Sequence, residues 1–205
     1  MVYILTLGYL LFAYLLGSLP FSHFFPSKIK GKDVREEGSG NVGATNVLVV
    51  AGPWPALLSL FGDIAKGYLA IVGARLIGLT DWGIALAGLA SIVGHDFSVF
   101  LRFRGGKGVA TTGGILLALD PFLTLVVVLF WLFSFLVVRY FIPATVLIIC
   151  LLPVLLWLGS WGIEYITFAA VGAVLAVYVH RFDLQWYFSG KDTTIGEALR
   201  KFLKQ

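Results

Sequence analysis

Two short segments of this 205-residue chain carry residues able to grip an anion: GSGNVGATN at 38–46 and RFRGGKGVAT at 102–111. Glycines such as Gly38 and Gly40 let a backbone approach a ligand closely, and amides at a helix start attract negative charge. Ser39, Asn41, Thr45 and Asn46 add neutral donors. Around the adjacent Gly105 and Gly106, the side chains of Arg102, Arg104 and Lys107 add fixed positive charge. The chemistry that suits such a pair is the holding of phosphate. The first segment fits a G-x-G-x-x-G string, but a dinucleotide site also requires a preceding strand and a βαβ unit, and here residues 32–37 are charged. The second is no Walker loop, because Gly108 follows Lys107 where a Ser or Thr would be needed for Mg²⁺. Taken alone, the first could be a polar turn and the second a basic loop that only fixes orientation.

Asp63 and Lys66, three apart in an apolar stretch, share one helix face. An isolated charge at mid-membrane costs on the order of 3 kcal/mol on insertion scales. The pair is therefore either a buried structural unit or a means for Lys66 to reach the site. His95 stands beside Asp96 and Ser98, and His180 beside Arg181 and Asp183; His180 is the better candidate for chemistry. His23 has no motif around it. The residues five on from the three histidines are Lys28, Phe100 and Gln185, so the His-x4-Asp acyltransferase dyad is absent. Neither a Gly-x-Ser-x-Gly elbow nor a HExxH string occurs. Neither a protein-bound acyl intermediate nor metal-activated water has support, and no metal site and no cofactor are expected.

The elements that must position these residues are membrane elements. The chain is 59% hydrophobic and 13% charged, with mean hydropathy +0.94, against about 25% charged for soluble domains. One integral membrane domain over residues 1–205 is the expectation, with lipid rather than nucleic acid as its surroundings. The lone Cys150 excludes an internal disulfide. Residues 1–25 lack the cationic start and small-residue cleavage site of a signal peptide.

Apolar runs at 2–25, 53–77, 82–99, 107–119, 121–139, 142–158 and 163–181 predict an all-α fold with about seven transmembrane helices. The fourth run is short, and Asp120-Pro121 breaks the helical pattern after it. With the N-terminus outside, thirteen of the fifteen Lys and Arg residues fall on the inner side, leaving Arg75 outside and Lys66 within a span. That bias is what correct topology produces. It places both glycine-rich segments, His180 and the C-terminus on the cytoplasmic face, where they can converge. At 194–204, a possible Thr194–Glu197 capping box and an apolar stripe predict a short interfacial helix.

Longer strings surround these residues: GSLPF at 17–21, DVREEGSGNVGATNVL at 33–48, GDIAKG at 62–67, GHDFSVFLRFRGGKGVAT at 94–111 and HRFDLQWYFSGKD at 180–192. In order and spacing the chain resembles the bacterial acyl-phosphate-dependent glycerol-3-phosphate acyltransferases, membrane enzymes of phospholipid synthesis. The resemblance implies a seven-helix fold in the cytoplasmic membrane. It also implies acyl transfer from acyl phosphate to the 1-hydroxyl of glycerol 3-phosphate, with release of phosphate. On it, Ser39, Lys107 and His180 carry catalysis. Gly38, Gly40, Asn41, Thr45, Asn46, Lys66, His95, Arg104, Gly105, Gly106, Gly108 and Arg181 bind substrate or its phosphates.

Acyl phosphate is a mixed anhydride, already activated, so neither a protein nucleophile nor a cofactor is demanded. Three positions depart from the family's pattern: Val49 stands for Arg, Asp183 for Asn, and Trp186 for a basic residue. Losing a forked phosphate donor and gaining a negative charge both weaken anion binding. Lys30, Lys32 and Arg35 are the nearby cations that could make up for it. The alternatives are a divergent relative with altered or lost activity and a transporter of phosphate-bearing anions. A transporter would distribute its cations through the membrane rather than on one face.

Overall fold

The computed structural model describes residues 2–190, and every regular element in them is helical. They fall into two compact units, Met1–Pro121 and Phe122–Gln205. The expected interfacial helix at 194–204 lies outside the described residues.

In the first unit, α1 (Val2–Ser18) and α2 (Phe21–Lys30) are separated by Leu19-Pro20. The span expected over 2–25 runs from Tyr3 to Lys30, with its helical pattern interrupted only at Leu19-Pro20, because proline has no N–H to donate and its ring clashes with a preceding turn. Helix α3 (Ala44–Ala51) runs into α4 (Pro53–Leu76) through Gly52. Helix α5 (Asp81–Asp96) starts at Thr80, whose side chain accepts the Gly83 N–H. A 3-10 turn (Val99–Leu101) then leads to the second glycine-rich segment and α6 (Val109–Leu119).

Small residues let these helices touch backbone to backbone. A Cβ on Gly67 of α4 would overlap the Thr111 carbonyl of α6, and one on Gly114 would overlap the Ile64 carbonyl in return. Gly17 and Gly94 seal α1 to α5 in the same way, against Ser91 and Tyr14. That is the packing expected where lipid supplies no hydrophobic drive between helices. Helix α6 ends at Asp120, and Arg75 donates to the carbonyls of Ala118 and Leu119.

In the second unit, α7 (Pro121–Val138), α8 (Phe141–Leu158), α9 (Ile163–Val179) and α10 (Arg181–Phe188) follow in order. Pro121 sits at the first helical position, where a missing N–H costs nothing. Trp131 Nε1 donates to Thr145 Oγ1 at 3.0 Å, tying α7 to α8, and Phe168 lies buried on α9.

Among the described residues, five helices are long and apolar enough to cross a membrane, or six if the α9–α10 pair, bent by 62°, counts as one span. The remaining apolar run, expected at 107–119, is the 11-residue α6. At 1.5 Å per residue it reaches about 16 Å, roughly half the hydrocarbon core. The protein is a multi-pass, all-helical membrane protein.

Candidate active site

The two glycine-rich segments meet at one end of the first unit. Gly106 lies so close to Val42 O and to His95 Nε2 that a side chain at 106 would overlap both. Beside this contact is a small cavity whose lining includes Ser22, Asp63, Lys66, His95 and Gly106 together with Leu19 and Leu101. The two segments are therefore in contact within this unit.

The first segment is built around Asn46. Its Nδ2 donates to the carbonyls of Val34 (2.8 Å), Asn41 (3.0 Å) and Glu37 (3.2 Å), and its Oδ1 accepts from Ser39 N at 2.9 Å. Only 4% of the residue is exposed. Against the expectation that Asn46 donates to substrate, its amide is turned inward and shapes the loop instead. Gly38, at φ 64°, is required because a side chain there would collide with Asn46 Oδ1. Gly40 N is also satisfied internally, by Glu37 O. What the segment presents outward are Ser39 and Thr45, with the half-buried Asn41. The α3 start adds its first amides, since its cap Gly43 has no side chain to satisfy them.

The second segment departs from expectation in one respect. Gly105 N donates to Asp96 O at 3.0 Å and Gly106 N to His95 O at 3.1 Å. These amides satisfy the last carbonyls of α5 rather than facing a phosphate. The glycines serve close approach: a Cβ on Gly105 would overlap the His95 carbonyl. Gly108, at φ 69°, opens α6, and the carboxylate of Asp96 lies against it. The Asp96 side chain therefore occupies the space beside the first residue before α6. Lys107 is half-buried, and Arg104 is exposed.

Lys66 is 2% exposed; its Nζ lies 2.8 Å from Asp63 Oδ1 and donates to Leu19 O at 3.1 Å. Of the two roles open to it, the geometry favours the structural one, under the floor of the site. His95, 7% exposed, sits beside it with Nδ1 3.5 Å from Asp63 Oδ1. Ser22 and Asp96 join the site without having been named as candidates from sequence. The detectable signal was polarity inside apolar runs: an acid at the end of α5, and a serine two residues after Pro20.

The cations around the first segment are mostly committed. Arg35 forks onto Asp33, with Nε 3.0 Å from Oδ1 and Nη2 2.6 Å from Oδ2. That fork holds the Asp33 carboxyl well below the usual carboxylate range. Lys32 pairs with Glu37 at 2.6 Å. Val49 is exposed on α3, so the position where the family pattern has arginine is open to solvent or lipid.

His180 and Arg181 belong to the second unit, at the α9–α10 bend. His180 is 2% exposed, and its Nδ1 is 2.9 Å from Ala176 O, which favours the tautomer with the proton on Nδ1. Arg181 donates to Tyr178 O at 2.6 Å and lies over the rings of Tyr178 and Phe182, at 4.2 and 4.4 Å. Its guanidinium is thus engaged within its own unit.

Comparison with known proteins shows the family. The sequence profile of the family described as glycerol-3-phosphate acyltransferase matches residues 7–190. A glycerol-3-phosphate acyltransferase of Thermus thermophilus is 40% identical over 193 residues, covering 93% of this chain and 95% of its own. One from Halalkalibacterium halodurans is 38% identical over 205 residues, covering 94% and 97%. The crystal structure of PlsY (YgiH), an integral membrane glycerol 3-phosphate acyltransferase, superposes in its glycerol 3-phosphate form with TM-score 0.88. It shares 36% identity and covers 96% of this chain and 98% of its own. Its lysophosphatidic acid form superposes with TM-score 0.82 at 35% identity, covering 92% and 94%. Matched nearly end to end in sequence and in fold, this chain belongs to the glycerol-3-phosphate acyltransferase family.

Proposed function

We propose that the protein transfers an acyl group from acyl phosphate to the 1-hydroxyl of glycerol 3-phosphate, in phospholipid synthesis. The observation that carries this reading is the contact of Gly106 with Val42 and His95, which brings two anion-holding segments together at one end of a membrane bundle. Two phosphorylated substrates need two such walls.

The hydroxyl oxygen of glycerol 3-phosphate attacks the carbonyl carbon of the anhydride. The bond from that carbon to the phosphate oxygen breaks, and inorganic phosphate leaves. The hydroxyl proton passes to a substrate phosphate, whose second pKa near 6 makes it an adequate base. No protein nucleophile enters. The protein holds the reactants in line and stabilises charge on the carbonyl oxygen.

Ser39, Asn41, Thr45 and the start of α3 form one wall. Arg104 and Lys107 supply charge on the other, while Gly105, Gly106 and Gly108 let that wall come close. His180, as a catalytic residue, and Arg181, as a substrate-binding one, are assigned on the family's sequence pattern alone. The acyl chain lies among lipid-facing helices. We place the protein in the bacterial cytoplasmic membrane with the N-terminus outside, the site opening to the cytoplasm, and the whole chain acting as one domain.

The test is turnover by purified protein in lipid or detergent. Palmitoyl phosphate with glycerol 3-phosphate should yield lysophosphatidate and phosphate in equal amounts. Palmitoyl-CoA in its place should yield neither. Turnover with the thioester alone would overturn the proposed donor.

A further inference from the structure

A buried polar cluster lies under the site and takes no part in the chemistry above. Asp63, Lys66 and His95 are 1%, 2% and 7% exposed, and Ser22 is fully buried with them. Asp63 is the common member. Its Oδ2 accepts from Ser22 Oγ at 2.7 Å, and its Oδ1 faces Lys66 Nζ at 2.8 Å and His95 Nδ1 at 3.5 Å. Lys66 is anchored in turn on Leu19 O, an end carbonyl beyond α1. With its Nδ1 edge toward Asp63, the His95 ring presents Nε2 to Gly106, and Val42 O closes the remaining space. A continuous set of contacts thus runs from the interior of α4 to the junction of the two glycine-rich segments.

Buried ion pairs are poor sources of stability, since desolvation offsets most of the attraction. Ionisable side chains inside a membrane bundle more often mark function. The geometry points to Asp63 as a positioning residue for the phosphate-binding site. Its carboxylate, clamped by Ser22 and Lys66, stands 3.5 Å from the Nδ1 edge of His95 and orients that ring by contact and charge rather than by a hydrogen bond, and the ring sets the seat of Gly106 against Val42. The spacing between the two anion-holding segments follows from it. What the site holds rests on the acyltransferase reading; the positioning itself does not.

The experiment uses three variants of the purified full chain. Asp63→Asn removes the carboxylate's charge. Asp63→Asn/Lys66→Met removes both charges, so that no lone one is left buried if the single variant fails to fold. Ser22→Ala leaves both charges and removes one arm of the clamp. Each is read by the KM and kcat for glycerol 3-phosphate, and by hydrogen exchange in peptides covering 102–111, whose Gly105 and Gly106 amides are bonded to α5 carbonyls. Expected for the folded charge variants is a KM raised on the order of tenfold, with a smaller fall in kcat, and faster exchange at 102–111 but not in α9. Ser22→Ala should move both readouts the same way by less. A folded double variant with wild-type KM and wild-type exchange would overturn the proposal. Wild-type protein that releases no phosphate would sink the acyltransferase reading, while the exchange data would still decide the role of Asp63.

Discussion

Asn46 Oδ1 accepts the backbone N–H of Ser39 at 2.9 Å while the same amide's nitrogen donates to three carbonyls of the loop before it. One buried side chain thereby fixes the peptide that carries Ser39 outward. Asn46→Asp keeps the acceptor and nearly the same shape, but removes every donor. Losing two or three net hydrogen bonds at about 1 kcal/mol each, with carboxylate facing carbonyls, predicts destabilisation of about 2–4 kcal/mol. A thermal melt of the variant checks this, and its KM for glycerol 3-phosphate should rise as Ser39 loses its seat.

Gly105 and Gly113 make opposite predictions from the same substitution. A methyl at 105 would overlap the His95 carbonyl, whereas nothing lies within 4 Å of one at 113. Gly105→Ala should abolish phosphate release, because backbone must move to admit it. Gly113→Ala, inside α6, should retain activity and gain about 0.5–1 kcal/mol of stability from helix propensity. Equal effects of the two changes on the rate would contradict the close-approach argument.

The gathering of both glycine-rich segments at one end of a bundle could be read from charge and hydropathy alone. Lysine and arginine positions carry sidedness, and sidedness restricts which loops meet. The direction of individual peptide groups could not. Gly105 and Gly106 read as phosphate amides by residue type, yet their N–H groups bond back to α5. Composition does not record which way a peptide faces. The inward turn of Asn46 is hidden for the same reason: its amide has four polar partners within reach only after residues 33–43 have folded over it. The interruption at Leu19-Pro20 had a signal in Pro20, and the span Tyr3–Lys30 continues through it as the apolar residues on either side imply. The short α6 was legible: the apolar run at 107–119 is itself short and stops at Asp120-Pro121, where the helix ends.

Arg75 lies far along α4 from the polar cluster and caps α6 through the carbonyls of Ala118 and Leu119. Arg75→Ala should lower stability by about 0.5–1 kcal/mol, the usual worth of a cation at a helix C-terminus. It should leave the KM for glycerol 3-phosphate unchanged. A changed KM would mean that this end of the bundle communicates with the site.

Val49 is 61% exposed on α3, the helix whose start faces the proposed anion. Arg35 and Lys32 are held by Asp33 and Glu37, so neither replaces an arginine at 49 without giving up its own partner. Val49→Arg with Asp183→Asn should therefore lower the KM for glycerol 3-phosphate. An unchanged value would show that these positions have no part in substrate binding here.

The central claim is that residues from both glycine-rich segments act on one pair of phosphorylated substrates. Phosphate release from palmitoyl phosphate and glycerol 3-phosphate, compared in wild type, Ser39→Ala, Lys107→Ala and the double variant, tests it most directly. Groups that act on the same reacting atoms are coupled, so the double variant should lose less kcat/KM than the two single losses multiplied, by about 1 kcal/mol or more. Fully multiplicative losses, or wild-type release no higher than that of Lys107→Ala, would contradict the account.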